Sequence, residues 1–315
     1  MNRRVALGMA GTGVVCAGLL FFICAGLFTS TTATLVHVGA GETLGDVAQN
    51  LQTARIINSK TLFEVLVRLR GKDTGVVAGE YFFAEPQSVF TVATRIVRGD
   101  FNLKPVRVVV PEGTTAKEIA TLLARVPGVN PATFLERALE KEGYLFPDTY
   151  FVYPGEDTDT LLKRFETNFN QHIQEASLQN AVASFGKPLA SVVTMASLLE
   201  KEAPDAANRR IIAGILWKRL HIGMPLQVDA VFAYITGKTP GDISHADLAN
   251  KSLYNTYLYK GLPPGPIGNP GVDSLLAAVT PTDTKFLYYL SDKNGVFHYS
   301  ATYAGQVANQ TKYLR

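Results

Sequence analysis

The chain has 315 residues, of which 47% are hydrophobic and 18% charged, and its formal net charge is +3. This length is enough for two or three compact units, and the composition is that of a globular protein with one additional, strongly apolar segment. So small a positive charge, without a block of Lys and Arg among aromatic residues, argues against nucleic-acid binding.

The apolar segment at the N-terminus predicts a transmembrane anchor. Residues 5–28 contain no charged side chain, and a run of this length can cross a hydrocarbon layer of about 30 Å. Arg3 and Arg4 precede it, which predicts that residues 1–4 stay in the cytoplasm. A cleaved signal peptide would usually have a shorter apolar core, of about 7–15 residues, and no convincing small-x-small cleavage site follows Phe28. We therefore expect a single-pass protein of the cell inner membrane whose C-terminal part is periplasmic.

The cysteines and histidines do not indicate a metal or cofactor site. Cys16 and Cys24 lie inside the predicted anchor, so the exported part has no disulfide and no thiolate ligand. The five histidines lack the HExxH or HxxxH spacing of zinc sites. We expect neither a metal nor a cofactor.

Residues 34–103 predict a small module of mixed helices and strands. Thr43 and Asp46 form a plausible capping pair at the start of its first helix. The elements predicted by periodicity and turn residues are a strand from Thr34 to Val38, helices over GETLGDVAQNLQ and from Lys60 to Arg70, a strand at GEYFFAEP, and a helix closed by Gly99.

The strand, turn and helix order is repeated from Val106 onward. The segment VRVVVPEGTTAKEIATLLARV again places a glycine and a threonine before an apolar helical face, which indicates two related modules or a swapped pairing between them. We place a linker at Lys104-Pro105 and a larger α+β unit at residues 106–315. The opening GETLGDVA resembles a LysM-type module, which would bind N-acetylglucosamine polymers; a plain spacer explains the segment equally well.

Within the larger unit, the run ASLLEKEAP places Glu200 on a helix beside apolar neighbours. Val193 and Ala196 lie on the same helical stripe, and Pro204 predicts that the helix ends near Ala203. Burial and the negative end of a helix both raise the pKa of a carboxyl group, which is what a general acid requires. A solvated glutamate on an amphipathic helix is the alternative.

A segment rich in proline and glycine, YNTYLYKGLPPGPIGNPG, is predicted to be a rigid loop, because it can be neither helix nor central strand. Asn269 and Pro270 fit the cap and first turn of a helix at 271–279. FLYYLSDKNGVFHYS predicts a hairpin turning at Asn294-Gly295, and an amphipathic helix follows it.

Amides, carboxylates and aromatic rings are the groups that bind sugars, because the polar groups bond hydroxyls and the rings cover apolar sugar faces. We expect six residues with side chains suited to such contacts to bind a sugar or to orient Glu200: Gln227, Asp229, Tyr254, Asn255, Thr256 and Tyr257.

Taken in order, these segments resemble the endolytic murein transglycosylase, or YceG-like, family. The motifs that carry the resemblance are ASLLEKEA, ILWKRLHIGMPLQVD, SLYNTYLYKGLPPGPIGNPG and LYYLSDKNGVFHYS. With the anchor and the LysM-like module, they cover nearly the whole chain. The resemblance implies cleavage of peptidoglycan between N-acetylmuramic acid and N-acetylglucosamine without water, and proximity to peptidoglycan synthases.

By the same resemblance, Glu200 matches the catalytic glutamate of the EKE motif. It would protonate the glycosidic oxygen and then accept the proton of the C6 hydroxyl, which closes a 1,6-anhydro ring. Glu202 lies about 200° further around the helix, so we expect it to point elsewhere and to pair with Arg209 or Arg210.

Two other functions remain open from the sequence. A muramidase-type hydrolase would use Asp229 as the second carboxylate beside Glu200, and its products would be heavier by one water. A membrane-tethered, non-catalytic glycan-binding scaffold would keep its binding when Glu200 is replaced.

Overall fold

The computed structural model describes residues 34–70, 76–238 and 242–314. The predicted cytoplasmic residues and anchor, 1–28, lie outside these ranges. The described residues divide into two compact units: those from 34 to 106 together with 125–129 and 151–156, and those in 107–124, 130–150 and from 157 onward.

The first unit contains a two-stranded antiparallel sheet and three helices. Thr43 caps the first helix and forms a reciprocal capping box with Asp46, as predicted. Gly99 ends the third helix with φ +68°, a left-handed conformation that glycine adopts without strain. The elements are β1 (Thr34–Val38), α1 (Leu44–Thr53), α2 (Lys60–Leu69), β2 (Gly79–Phe83) and α3 (Val89–Arg98).

The core of the first unit lies between the sheet and the helices. Val36 pairs with Tyr81 across the two strands, and both are buried with Phe63 and Ile96. Within the described residues β1 pairs with β2, not with the repeated strand β3, so the swapped pairing is not found.

The second unit carries most of the helices. Its elements, with the strand pair β3–β4, are β3 (Val106–Val109), α4 (Ala116–Leu123), α5 (Pro131–Ala138), a 3₁₀ turn (Leu139–Lys141), β4 (Thr149–Val152), α6 (Thr158–Ile173), α7 (Ala176–Phe185), α8 (Leu189–Glu202), α9 (Ala206–His221), α10 (Ala230–Thr236), α11 (His245–Leu248), α12 (Val272–Val279), β5 (Tyr288–Ser291), β6 (Phe297–Ser300) and α13 (Tyr303–Tyr313).

Helix α8 is the centre of this unit. Its residues 192–199 are all buried, and it packs against α9, α10 and α12. Because a helix that is apolar all round must lie inside a core, α8 has little freedom to move, and its last turn is held in a fixed place. That turn carries Glu200, Lys201 and Glu202.

The mixed α+β prediction is confirmed, and so are the helix ending before Pro204 and the hairpin at Asn294-Gly295. The predicted cap of α12 is wrong. Gly271 is the N-cap residue, whereas Asn269 is fully buried and its side chain bonds other segments. The sequence patterns did not predict β4, helices α5 to α7 or the short helix α11.

In the part of the chain that the structure describes, no single helix is both long and apolar enough to cross a bilayer. Only the bent pair α7 and α8, with 110° between its helices, reaches that length and composition together.

Candidate active site

The last turn of α8 directs three consecutive charged side chains to three different environments. Successive residues are about 100° apart around a helix. Glu200 therefore faces Arg209 on α9, Glu202 faces Tyr289 on β5, and Lys201 lies between these two directions.

Glu200 has both carboxylate oxygens occupied by protein donors. Arg209 Nη2 donates to Oε1 at 2.8 Å, and the backbone N–H of Gly271 donates to Oε2 at 2.9 Å. The Glu200 and Arg209 side chains are only 5% and 7% exposed. The predicted pairing of Arg209 with Glu202 is therefore wrong, because a bond from Arg209 Nε to the Ala203 carbonyl, at 2.7 Å, directs the guanidinium to Glu200.

Gly113 and Gly271 allow close approach of two backbone segments to Glu200. A Cβ at Gly113, whose φ is +74°, would lie 3.2 Å from Glu200 Cγ, and one at Gly271 would lie 1.9 Å from Glu112 Oε1. Partial desolvation raises the pKa of Glu112, and the negative charge of Glu200 raises it further. The Glu200 side chain, which is 5% exposed, is thus closely surrounded by these segments.

Asn269 joins the loop before α12 to the turn before α4. Its Nδ2 donates to the Thr114 carbonyl at 2.8 Å and to Glu142 Oε1 at 3.0 Å, and its Oδ1 accepts from Leu145 N–H at 2.8 Å. Burial raises the pKa of Glu142 to about 7, against hydrogen bonds from Ala116 N–H and Asn269 that lower it. Sequence reasoning missed Glu142, because it follows Glu140 and Lys141 and nothing local distinguishes it as the buried glutamate.

Glu202 lies at a cavity of about 470 Å³, here called the first cavity. Tyr289 Oη donates to Glu202 Oε2 at 2.7 Å. Burial raises the pKa of Glu202 to about 7; the Asp229 charge also raises it, whereas hydrogen bonds from Tyr289 and the Ala230 backbone and the Arg219 charge lower it. The other polar side chains that line this cavity include Arg219, Gln227, Asp229, Tyr257 and Tyr288.

Three residues predicted to bind sugar lie with Glu202 and not with Glu200. Gln227 and Asp229 are exposed at the first cavity, and Tyr257 Oη donates to Asp229 Oδ1. The backbone of Gln227 has φ +51°, which is unusual for a residue with a side chain. A hydrogen bond from its N–H to the Thr256 carbonyl, 3.1 Å long, holds it in this conformation.

The other three predicted residues lie behind the cavity lining. Asn255 is fully buried, and its amide bonds the Leu248 and Asn250 carbonyls and the Tyr257 N–H. Thr256 is 2% exposed and its Oγ1 accepts from Val228 N–H at 2.9 Å. Tyr254 packs against Tyr234, with ring centroids 5.0 Å apart. The contacts of Asn255 and Thr256 therefore fix the backbone at Tyr257 and at Gln227-Val228.

Arg219 was not predicted, yet it connects both sides of the first cavity. It is 4% exposed, and its guanidinium donates to the carbonyls of Leu226 and Leu287. These carbonyls immediately precede Gln227 and the Tyr288-Tyr289 pair, so one side chain fixes both segments. The basic run WKRLH gave no sign of this, since only the fold reveals which arginine is buried.

Aromatic rings form much of the remaining lining of the first cavity: Tyr288, Phe297 and Tyr303. Rings of this kind cover the apolar faces of sugars. Across the described ranges, no three His, Cys, Asp or Glu side chains come together closely enough to bind a metal ion.

Comparison with known proteins agrees with the resemblance given above. The sequence matches the YceG-like family over residues 36–312, so the chain belongs to that family. It is 28% identical to the endolytic murein transglycosylase of Bacillus subtilis, over 90% of this chain and 86% of that protein. It is 25% identical to the enzyme of the same name from Streptococcus pneumoniae strain D39, over 82% of this chain and 54% of that longer protein.

A solved structure has the same fold. A YceG-like protein from Listeria monocytogenes superimposes with a TM-score of 0.58 and 26% identity, covering 89% of this chain and 99% of that one.

Proposed function

We propose that this protein is a lytic transglycosylase that cuts peptidoglycan glycan strands internally, with Glu202 as general acid and then base. The observation that carries the proposal is a carboxyl group with a pKa of about 7 at a cavity lined by amide, carboxylate and aromatic groups. The shared name of the Bacillus and Streptococcus relatives supports the same reaction and substrate.

In the first step, protonated Glu202 gives its proton to the glycosidic oxygen while the bond from that oxygen to C1 of N-acetylmuramic acid breaks. The positive charge at C1 and the ring oxygen is stabilised by the Glu202 carboxylate that remains. In the second step, this carboxylate takes the proton of the C6 hydroxyl as its oxygen bonds C1. The result is a 1,6-anhydro ring, and Glu202 is protonated again for the next cycle.

Glu202 fits these steps better than Glu200, the residue predicted from the EKE motif. The acid must be protonated near neutral pH and must reach the sugar, and Glu202 meets both needs. Glu200 is in an ion pair with Arg209 and its two oxygens already accept protein hydrogen bonds. Glu200 therefore holds the Gly271 segment and α9 in place, and the catalytic role falls to its neighbour two residues on.

Tyr289 and Asp229 would prepare Glu202 for catalysis. The Tyr289 hydroxyl donates to Oε2 and fixes the orientation of the carboxyl group. Burial raises the pKa of Glu202 most, and the negative charge of Asp229 raises it further. A hydrogen bond from Tyr257 holds Asp229 in position. Gln227 is exposed beside them and can bond the acetamido or hydroxyl groups of a sugar.

Digestion of purified glycan strands tests the reaction. A transglycosylase gives fragments that end in 1,6-anhydro-muramic acid, and their mass shows no added water. Reducing-end fragments heavier by one water would establish the muramidase-type hydrolase, and binding without cleavage would establish the scaffold.

The pH dependence of kcat/KM should show the titration of Glu202. Because the free enzyme needs the protonated acid, kcat/KM should fall above about pH 7, by about tenfold per pH unit. The Asp229 charge raises the pKa of Glu202, so Asp229→Asn should move this fall to lower pH. If Asp229→Asn does not change the pH at which kcat/KM falls, a group other than Glu202 is responsible for that fall.

The membrane anchor is a further part of the proposal. Residues 5–28 have the length and composition of a span behind Arg3 and Arg4. A reporter fused to the C-terminus should be active only outside the cytoplasm, and the mature protein should keep residues 1–30. A released form that begins near residue 30 would contradict the anchor. Anchoring would hold the enzyme beside newly made strands and their synthases, with residues 34–103 as a spacer or glycan-binding module.

A further inference from the structure

A second cavity, of about 600 Å³, lies in the larger unit near the first one. Its volume is in the usual range for a small-molecule site, roughly 300–1,000 Å³. Its polar lining includes Thr115, Lys117, Glu142, Lys201 and Thr236, and its apolar lining includes Leu139, Ala233 and Ile267. No residue predicted from the sequence to bind substrate lines it.

The two cavities are lined by consecutive residues of the same two segments. On α8, Lys201 lines the second cavity and Glu202 the first; at the start of α10, Ala230 lines the second and Asp229 the first. Successive Cα atoms are about 3.8 Å apart. A ligand in the second cavity would therefore lie within a few ångströms of the backbone that carries Glu202.

In the second cavity the carboxylates accept hydrogen bonds from the protein, whereas, within the described ranges, the lysines do not pair with a carboxylate. Glu118 accepts from the Thr115 N–H and hydroxyl, and Glu142 accepts from the Ala116 N–H and Asn269. Lys117 and Lys201, in contrast, have no carboxylate partner among the described residues. Two ammonium groups without partners beside carboxylates that are already bonded favour a ligand with free carboxylates.

We propose that the second cavity binds the carboxylate-bearing peptide that branches from N-acetylmuramic acid. This rests on the proposed function, since that peptide is part of the glycan strand. The peptide carboxylates would bond Lys117 and Lys201, and its small side chains would contact Leu139 and Ala233. The muramic acid that carries the peptide would then be held on the side of the enzyme where Glu202 acts, so the cavity selects which sugar is cut.

Binding can be measured without turnover. Full-length protein is titrated with the free tripeptide L-Ala-γ-D-Glu-diaminopimelate and with the same tripeptide methylated at its carboxylates. The unmodified tripeptide should bind at least about tenfold more tightly, and Lys117→Met with Lys201→Met should remove that difference. Lys285→Met, an exposed lysine outside both cavities, is the matched control and should retain it. Equal affinity for the two tripeptides, or no effect of the double substitution, would overturn the proposal.

Turnover separates this proposal from the proposed function. The ratio of kcat/KM on peptide-bearing strands to that on peptide-free strands should fall about tenfold in the double variant, mainly through KM. If the parent enzyme cleaves neither type of strand, the proposed function is refuted. The tripeptide titration would still test the peptide site, because it does not depend on turnover. A ratio that the double substitution leaves unchanged, in an active enzyme, would refute the peptide site alone.

Discussion

Glu202→Gln is expected to slow cleavage of purified glycan strands by at least about 100-fold, the lower end for a positioned acid–base group. Glutamine keeps the size of the side chain and can still accept the bond from Tyr289, but it can neither donate nor take the required proton. Folding and glycan binding should persist, since a neutral amide is easier to bury than a carboxylate.

Glu200→Gln is the matched control, because it makes the same change two residues earlier on the same helix. It removes the charge that pairs with Arg209, so we expect a loss of stability and a much smaller loss of kcat at a temperature where the variant is folded. Full activity of Glu202→Gln together with an inactive, folded Glu200→Gln would return the catalytic role to Glu200.

Arg209→Met is expected to lower the free energy of unfolding by about 3 kcal/mol, the lower end for breaking a buried ion pair from one side. The reason is that Glu200 would keep its negative charge in a site that is 5% exposed, and the Ala203 carbonyl would lose its donor. Urea denaturation of the full-length protein in detergent, followed by circular dichroism, measures the change.

Arg210→Met is the control for this experiment. Arg210 is the next residue on α9 and is exposed, so its replacement should change the free energy of unfolding by less than about 0.5 kcal/mol. Equal effects of the two substitutions would mean that the pair with Glu200 contributes little.

Local patterns were sufficient to predict most of the elements and the family. Threonine caps, terminal glycines and apolar spacing act within a few residues, and these predicted α1, α8 and the final hairpin. The region of β4 and α5 to α7 was not assigned, because nothing in it stood out as a motif. The helical angle between Glu200 and Glu202 was also foreseeable, and the structure places them in different surroundings.

The partners of those two glutamates could not be predicted. Tyr289 is 87 residues from Glu202 and Gly271 is 71 from Glu200, so neither contact leaves a periodic trace in the sequence. Which carboxyl is paired with a cation and which has its pKa raised by burial depends on the tertiary fold. For the same reason, Gln227, Asp229 and Tyr257 were recognised as a group, but the sequence did not show that they line one cavity together with Glu202.

Glu200, Lys201 and Glu202 lie in three different environments. The last turn of α8 is therefore more sensitive to an inserted or deleted residue than to a single substitution. Inserting one residue after Leu199 would turn the following side chains by about 100°. The carboxylate that now meets Arg209 would be replaced by another side chain, and Glu202 would leave the first cavity. Relatives that gained or lost a residue here would need a compensating change nearby in α8. An alignment of this family should therefore keep the spacing from Leu199 to Pro204 even where its residue types differ.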